Sequence, residues 1–222
     1  CLKNNVKKVI ALSTDKAASP INLYGATKLC ADKLFISANL IKGSKDISFS
    51  NVRYGNVMGS RGSVIPLFIK YAKRGIIPIT DKNMTRFNIS LDEGVSMVKW
   101  AVENSFGGEI FVPKIPSYKI MDLKEAIGPN CDYEIIGLRP GEKIHEEMIT
   151  LADGGSTIDL GKYYAILPAY GNLLDKYSKN SIQYTETEKD FIYNSGKNPS
   201  FLSISEIRNL IKSNIDTDFK PV

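Results

Sequence analysis

Tyr24 and Lys28 stand four residues apart in the stretch Leu23-Tyr-Gly-Ala-Thr-Lys28. On a helix that spacing puts both side chains on one face, a turn from each other. An ammonium beside a phenol favours the phenolate and lowers its pKa. Such a pair can take a proton from a sugar hydroxyl near neutral pH. The same lysine can hold a ribose hydroxyl of a nicotinamide cofactor. Alone, a Tyr-x-x-x-Lys pair is ordinarily two surface neighbours. Here it follows an apolar run, Val9-Ile-Ala-Leu12, whose far end carries Ser13, Thr14, Asp15 and Lys16. Ligands of open α/β sheets bind at the carboxyl ends of strands, so an acid, a base and hydroxyls converge on the Tyr–Lys helix.

These residues need a strand, a turn and a helix in that order. Val6–Ser13 reads as a buried parallel strand, because its apolar residues run together without alternation. Residues 24–41 read as a helix, with Gly43 as the stop. Ser48–Tyr54 alternates as a strand, and Val64–Lys73 is helical up to Gly75. Leu91–Glu103 is an amphipathic helix with Asp92 and Glu93 in its first turn, where the helix dipole favours acids. Shorter elements follow: a strand at Glu109–Val112, a helix at Met121–Ile127, a strand at Tyr133–Ile136 and a last helix at Leu202–Ile211. Beyond Pro168 the chain is rich in Asn, Ser, Lys and Tyr and has no clear register. The alternation predicts an α/β fold: the C-terminal part of a doubly wound, Rossmann-like parallel sheet with a smaller α+β substrate-binding lobe.

Bulk properties narrow the classes. With 222 residues, 43% of them hydrophobic and 24% charged, the chain has an ordinary globular balance and can bury a sizeable core. No apolar run approaches the ~18–20 residues of a membrane span, and the basic, polar start Cys1–Lys8 is no secretory signal. A net charge of +5 suits an anionic substrate such as a nucleotide. The basic residues are scattered without an aromatic stripe, which argues against nucleic acid. The three cysteines, Cys1, Cys30 and Cys131, are widely spaced, and His145 is the one histidine. That pattern fits no metal site and predicts a reduced, cytoplasmic protein, with Cys30 as a packing residue of its helix.

Taken together, the segments Thr14-Asp15-Lys16, Tyr24 with Lys28, Arg53-Tyr-Gly-Asn56-Val-Met-Gly-Ser-Arg61-Gly-Ser, Met84-Thr-Arg86-Phe and Leu138-Arg139-Pro-Gly-Glu142-Lys-Ile-His resemble the inverting UDP-N-acetylglucosamine 4,6-dehydratases. These are extended short-chain dehydrogenases that begin the pseudaminic acid route used to glycosylate bacterial flagellins. The resemblance runs from Val6 to Ile149 and more loosely to the C-terminus. It implies NADP as cofactor, UDP-N-acetylglucosamine as substrate, a homo-oligomer and no metal. It makes Thr14, Asp15, Lys16, Tyr24 and Lys28 catalytic and sets Tyr24, Lys28 and Val57 at the cofactor. Asn56, Arg61, Thr80, Arg86, Arg139 and Glu142 would contact the nucleotide sugar. Arginine suits a diphosphate because its fork can bond two oxygens at once. His145 has no role in this chemistry and is expected to pack or cap. The expected division is 1–75 for a partial NADP-binding domain, 76–168 for the UDP-sugar lobe and 169–222 for a C-terminal extension.

Other readings differ at particular residues. Retaining, membrane-anchored 4,6-dehydratases share Thr-Asp-Lys but typically carry methionine where this chain has Tyr24. A 4-epimerase shares the Tyr–Lys pair but has no need of Asp15 and Lys16 as a dehydration pair. A non-catalytic UDP-sugar-binding remnant, or an assembly piece, would keep only the Arg139 and Glu142 end. The Gly-rich phosphate turn of dinucleotide-binding folds is not found. Gly55, Gly59 and Gly62 follow a later strand. The family would place the turn roughly 100 residues or more upstream. The expectation is therefore that an N-terminal half is missing and that these 222 residues alone have little or no activity.

Overall fold

The structure, a computed structural model, describes residues 1–222. The chain begins with β1 (Lys8–Thr14), a 3-10 turn at Asp15–Ala17, α1 (Leu23–Ile41), β2 (Ser48–Tyr54), β3 (Asn56–Val57), α2 (Val64–Ala72), β4 (Ile76–Ile79), β5 (Thr85–Ile89) and α3 (Leu91–Asn104). It continues through β6 (Ile110–Pro113), β7 (Ser117–Lys119), α4 (Ile120–Ile127), β8 (Asp132–Ile135), β9 (Glu147–Ile149), α5 (Leu151–Gly154), β10 (Thr157–Asp159) and β11 (Tyr163–Ile166). It ends with α6 (Leu173–Lys179), β12 (Thr185–Glu186), β13 (Tyr193–Asn194) and α7 (Ile204–Asn214).

The expected consecutive blocks, 1–75, 76–168 and 169–222, give way to two interleaved units. The first gathers Cys1–Tyr54, Asp92–Lys114 and Glu147–Tyr193, and the second Gly55–Leu91, Ile115–Glu146 and Asn194–Val222. Contacts between segments far apart in sequence decide this division, which no local composition shift marks.

The first unit is built on a six-stranded sheet ordered β1-β2-β6-β11-β10-β12. The β1–β2 and β2–β6 pairs are parallel, while β11 runs antiparallel to both β6 and β10, and β12 antiparallel to β10. The expected parallel sheet is thus a mixed one. Val52 of β2, Phe111 of β6 and Ala165 of β11 pack with Met97 and Ala101 of α3 and with Leu173 and Tyr177 of α6. Removing this apolar surface from water stabilises the unit by ~25 cal/mol per Å². Asn22 starts α1 by accepting a hydrogen bond from the Gly25 N–H at 2.8 Å, which satisfies a first-turn donor. Cys30 is exposed on α1 rather than packed, because the helix buries only Gly25 and Asp32.

The second unit holds a three-stranded sheet, β3-β5-β7, and the pair β4-β8. Ile65 and Phe68 of α2, Leu123 and Ile127 of α4, and Ile207 and Ile211 of α7 share its core with Ile77 and Ile79 of β4. A capping box starts α7, in which Ser203 and Glu206 bond each other's backbone N–H groups.

Candidate active site

Strand β1 of the first unit ends at Thr14, and the turn that follows is closed by its own polar groups. Thr14 Oγ1 donates to Asp15 Oδ1 at 2.8 Å and accepts from the Lys16 backbone N–H at 3.4 Å. Lys16 Nζ reaches the same Asp15 oxygen at 3.0 Å. Asp15 is 0% exposed, and its Oδ2 has no hydrogen-bond partner in the protein. A buried carboxyl oxygen left open in this way is costly unless a ligand or a proton answers it. Hydroxyl, acid and ammonium of the Thr-Asp-Lys segment therefore form one hydrogen-bonded group.

Helix α1 sits tight against this turn. A Cβ on Gly25 would come within 2.3 Å of the Lys16 carbonyl oxygen, so only glycine lets the first turn of α1 approach. Tyr24, one residue earlier, is 55% exposed. Lys28, one turn on, donates to the Leu12 carbonyl at 2.8 Å. A second phenol, Tyr54 at the end of β2, lies near enough to be coupled to Tyr24. Burial first, and then Tyr24, push its pKa above the ordinary phenol value. Beneath them, Asp32 joins Ser13 and Arg53 in a buried network that no spacing in the sequence announces.

The remaining predicted residues lie in the second unit. Asn56 and Val57 form β3 and pair with Asn88 and Ile89 of β5. Asn56 Oδ1 is buried without a protein partner. Arg61 is exposed in the loop before α2, and Thr80 follows β4. Arg86 is committed to the chain itself: Nη1 donates to the carbonyls of Thr85 at 2.7 Å and Ile144 at 2.9 Å, and Nη2 to that of Lys143 at 2.9 Å. Its guanidinium pins residues 143–144 to β5.

The Arg-Pro-Gly-Glu string is a tight turn. The Glu142 N–H donates to the Arg139 carbonyl at 3.0 Å, the Arg139 N–H to Glu142 Oε2 at 3.1 Å, and Gly141 takes φ +83°. Proline second and a positive-φ glycine third are what a type II turn requires. The turn leaves the Arg139 guanidinium exposed. His145 packs, its Nδ1 bonded to Thr85 Oγ1 at 2.8 Å, which in turn meets Ser195 Oγ at 2.7 Å. A Cβ on Gly196 would strike the ring at 2.6 Å. Burial chiefly, and Arg86 next, hold the His145 pKa below its usual value.

A mixed α/β sheet with a Thr-Asp-Lys turn and a Tyr–Lys helix at its strand ends defines a class, and the chain belongs to the polysaccharide biosynthesis protein family, whose model matches residues 1–168. Within it, the chain is 51% identical over 218 residues to the UDP-N-acetylglucosamine 4,6-dehydratase (inverting) of Campylobacter jejuni strain 81-176, covering 95% of this chain and 65% of that protein. It is 38% identical over 215 residues to the UDP-glucose 4-epimerase of Rickettsia canadensis, covering 95% of this chain and 62% of that protein. Among solved structures, Pen from Bacillus thuringiensis superposes with a TM-score of 0.83 at 37% identity, over 96% of this chain and 64% of that one. The chain spans just under two thirds of the length of these relatives. No helix is long and apolar enough to cross a membrane.

Proposed function

We propose that this chain carries the catalytic machinery of an NADP-dependent dehydration of UDP-N-acetylglucosamine, which removes water across C5 and C6 and inverts C5. The observation that carries this reading is the Thr14-Asp15-Lys16 group, with the second oxygen of Asp15 buried and unpartnered beside the helix that bears Tyr24. An epimerase reaction uses a Tyr–Lys pair alone. Elimination needs a further acid and a further base.

Tyr24, assisted by Thr14 and Lys28, takes the proton of the 4-hydroxyl. A bound nicotinamide would supply the hydride acceptor for C4 and return that hydride to C6. With C4 a ketone, the C5 proton is acidic, and Lys16 removes it. Asp15 gives its proton to the departing 6-hydroxyl, so that water leaves. C5 is then reprotonated on the opposite face. The residues suit a nicotinamide nucleotide at Lys28: one of its three ammonium protons goes to Leu12, which leaves others for a ribose hydroxyl. Val57 is the third residue assigned there. Asn56, Arg61, Thr80, Arg86, Arg139 and Glu142 are assigned to the nucleotide sugar, with Arg139 exposed on the Arg-Pro-Gly-Glu turn and Arg86 acting through the chain it pins. The product is a UDP-4-keto-6-deoxy sugar, which fits the first step of pseudaminic acid synthesis.

The test is to incubate the natural gene product that contains these residues with UDP-N-acetylglucosamine and NADP in D2O. Loss of one water with deuterium at an inverted C5 is the expected result. A C4 epimer without loss of water would transfer the assignment to an epimerase. UDP binding without turnover would leave a binding role only. Lys16→Ala should abolish deuterium exchange at C5 while part of the initial oxidation survives. Exchange at the native rate would remove Lys16 from the base role.

A further inference from the structure

We propose that Asp32 is a positioning residue that sets the axial place and roll of α1, and so of Tyr24 and Lys28, against the Thr14–Lys16 turn. The inference rests on the roles assigned to those residues above. Helix α1 has 19 residues and buries only two of them, Gly25 and Asp32. Gly25 brings the first turn against the Lys16 carbonyl. Asp32, four residues beyond Lys28, anchors the middle. Its Oδ2 accepts from Ser13 Oγ at 2.7 Å and from Arg53 Nη2 at 3.2 Å. Ser13 and Arg53 are register partners across β1 and β2, and each immediately precedes a residue of the candidate site, Thr14 or Tyr54. Asn51 Nδ2 adds a bond to the Asp32 carbonyl at 3.2 Å. Arg53 is held from its other side by the Met148 carbonyl at 3.0 Å and by Asp153 Oδ2 at 3.6 Å.

The energetics favour positioning over stability as the use of this network. Asp32 and Arg53 are each 2% exposed. Desolvating two such charges largely cancels their attraction, and an apolar pair of similar volume often serves stability as well or better. What an apolar pair lacks is direction. Charge-assisted hydrogen bonds tolerate displacements of a few tenths of an ångström, while a helix that slips by one residue moves by about 1.5 Å. A misplacement of about 1 Å at reacting groups can cost on the order of 10²-fold in rate. One carboxylate oxygen, bonded to both strands, therefore fixes the helix that carries the base.

The decisive variant is Asp32→Leu with Arg53→Met, made in the natural gene product that contains these residues. The expected result is a Tm at or above that of the parent, kcat lowered about 10- to 100-fold and KM within about twofold. Asp32→Asn, which keeps an acceptor for Ser13, should recover part of kcat relative to Asp32→Leu. A stable double variant with parental kcat, or with its loss confined to KM, overturns the proposal. Should the double variant not fold, Ser13→Ala removes one donor alone, and an unchanged kcat there overturns it equally. Hydrogen exchange on the same natural gene product supplies a readout that does not depend on turnover. Amides of Leu23–Leu29 should exchange faster in Asp32→Asn while those of α3 do not change. If the parent protein shows no turnover, the functional assignment fails on that control, and unchanged exchange in α1 separately overturns the positioning role.

Discussion

Two phenols stand near the ends of β1 and β2, and their surroundings separate their roles. Tyr54 is kept neutral by burial and by Tyr24, whereas Tyr24 is more than half exposed. Tyr24→Phe should therefore lower kcat by about 10²- to 10⁴-fold, the usual worth of a positioned base. Tyr54→Phe should change it far less. A steady-state comparison in which Tyr54→Phe is the more damaging would reverse the assignment. His145 offers a pH test at the same scale. Its folded pKa lies below the free value of 6.5, so the unfolded chain takes up its proton first as pH falls. Stability should hold above about pH 6.5 and decline below it, through the interval down to the folded pKa. Urea melts of His145→Asn should lose that slope, and a slope that persists in the variant would place its origin elsewhere. The sequence made Tyr24, Lys28 and the Thr-Asp-Lys group legible because each lies within a few residues of its partners. The Asp32 contacts span 19 and 21 residues, and no local pattern encodes them.

Among the elements, α1 depends most on a single residue for its fit. Gly25→Ala would ordinarily favour a helix by about 1 kcal/mol. Here the new Cβ meets backbone, the Lys16 carbonyl oxygen, at 2.3 Å, and overpacking of that kind costs about 1–3 kcal/mol. The steric term wins, so Gly25→Ala should lower Tm and also kcat, because the helix must move off the turn. An unchanged Tm would mean that the turn yields freely. The longer elements are readable from apolar runs and stop signals to within three residues. The strands of the antiparallel half are not. β10 has three residues and β11 has four, too few for a period to emerge. β5 is buried at four of its five positions, which erases the alternation that marks a strand. The Arg-Pro-Gly-Glu string, whose resemblance implies a ligand contact, forms a type II turn.

The molecule as a whole is organised by interleaving, with each unit assembled from three stretches. Its one tryptophan, Trp100, packs edge-on to Phe111 and against Tyr163 in the first unit. In the second unit, α7 supplies the buried Ile207 and Ile211, and Leu202 and Ser200 bond the backbone of Ser117 in β7. Ending the chain after Asn194 should therefore break the second unit while the Trp100 near-ultraviolet signal survives. Loss of that signal would show that the first unit cannot stand on its own three stretches. The same threading governs birth on the ribosome. Chains usually fold domain by domain as they emerge, but here the first unit waits for Tyr193 and the second for residues up to Val222. Neither core can close until the last of its three stretches has emerged, so the apolar surface of the earlier stretches stays open in the meantime and is a natural client for chaperones that hold such surfaces apart.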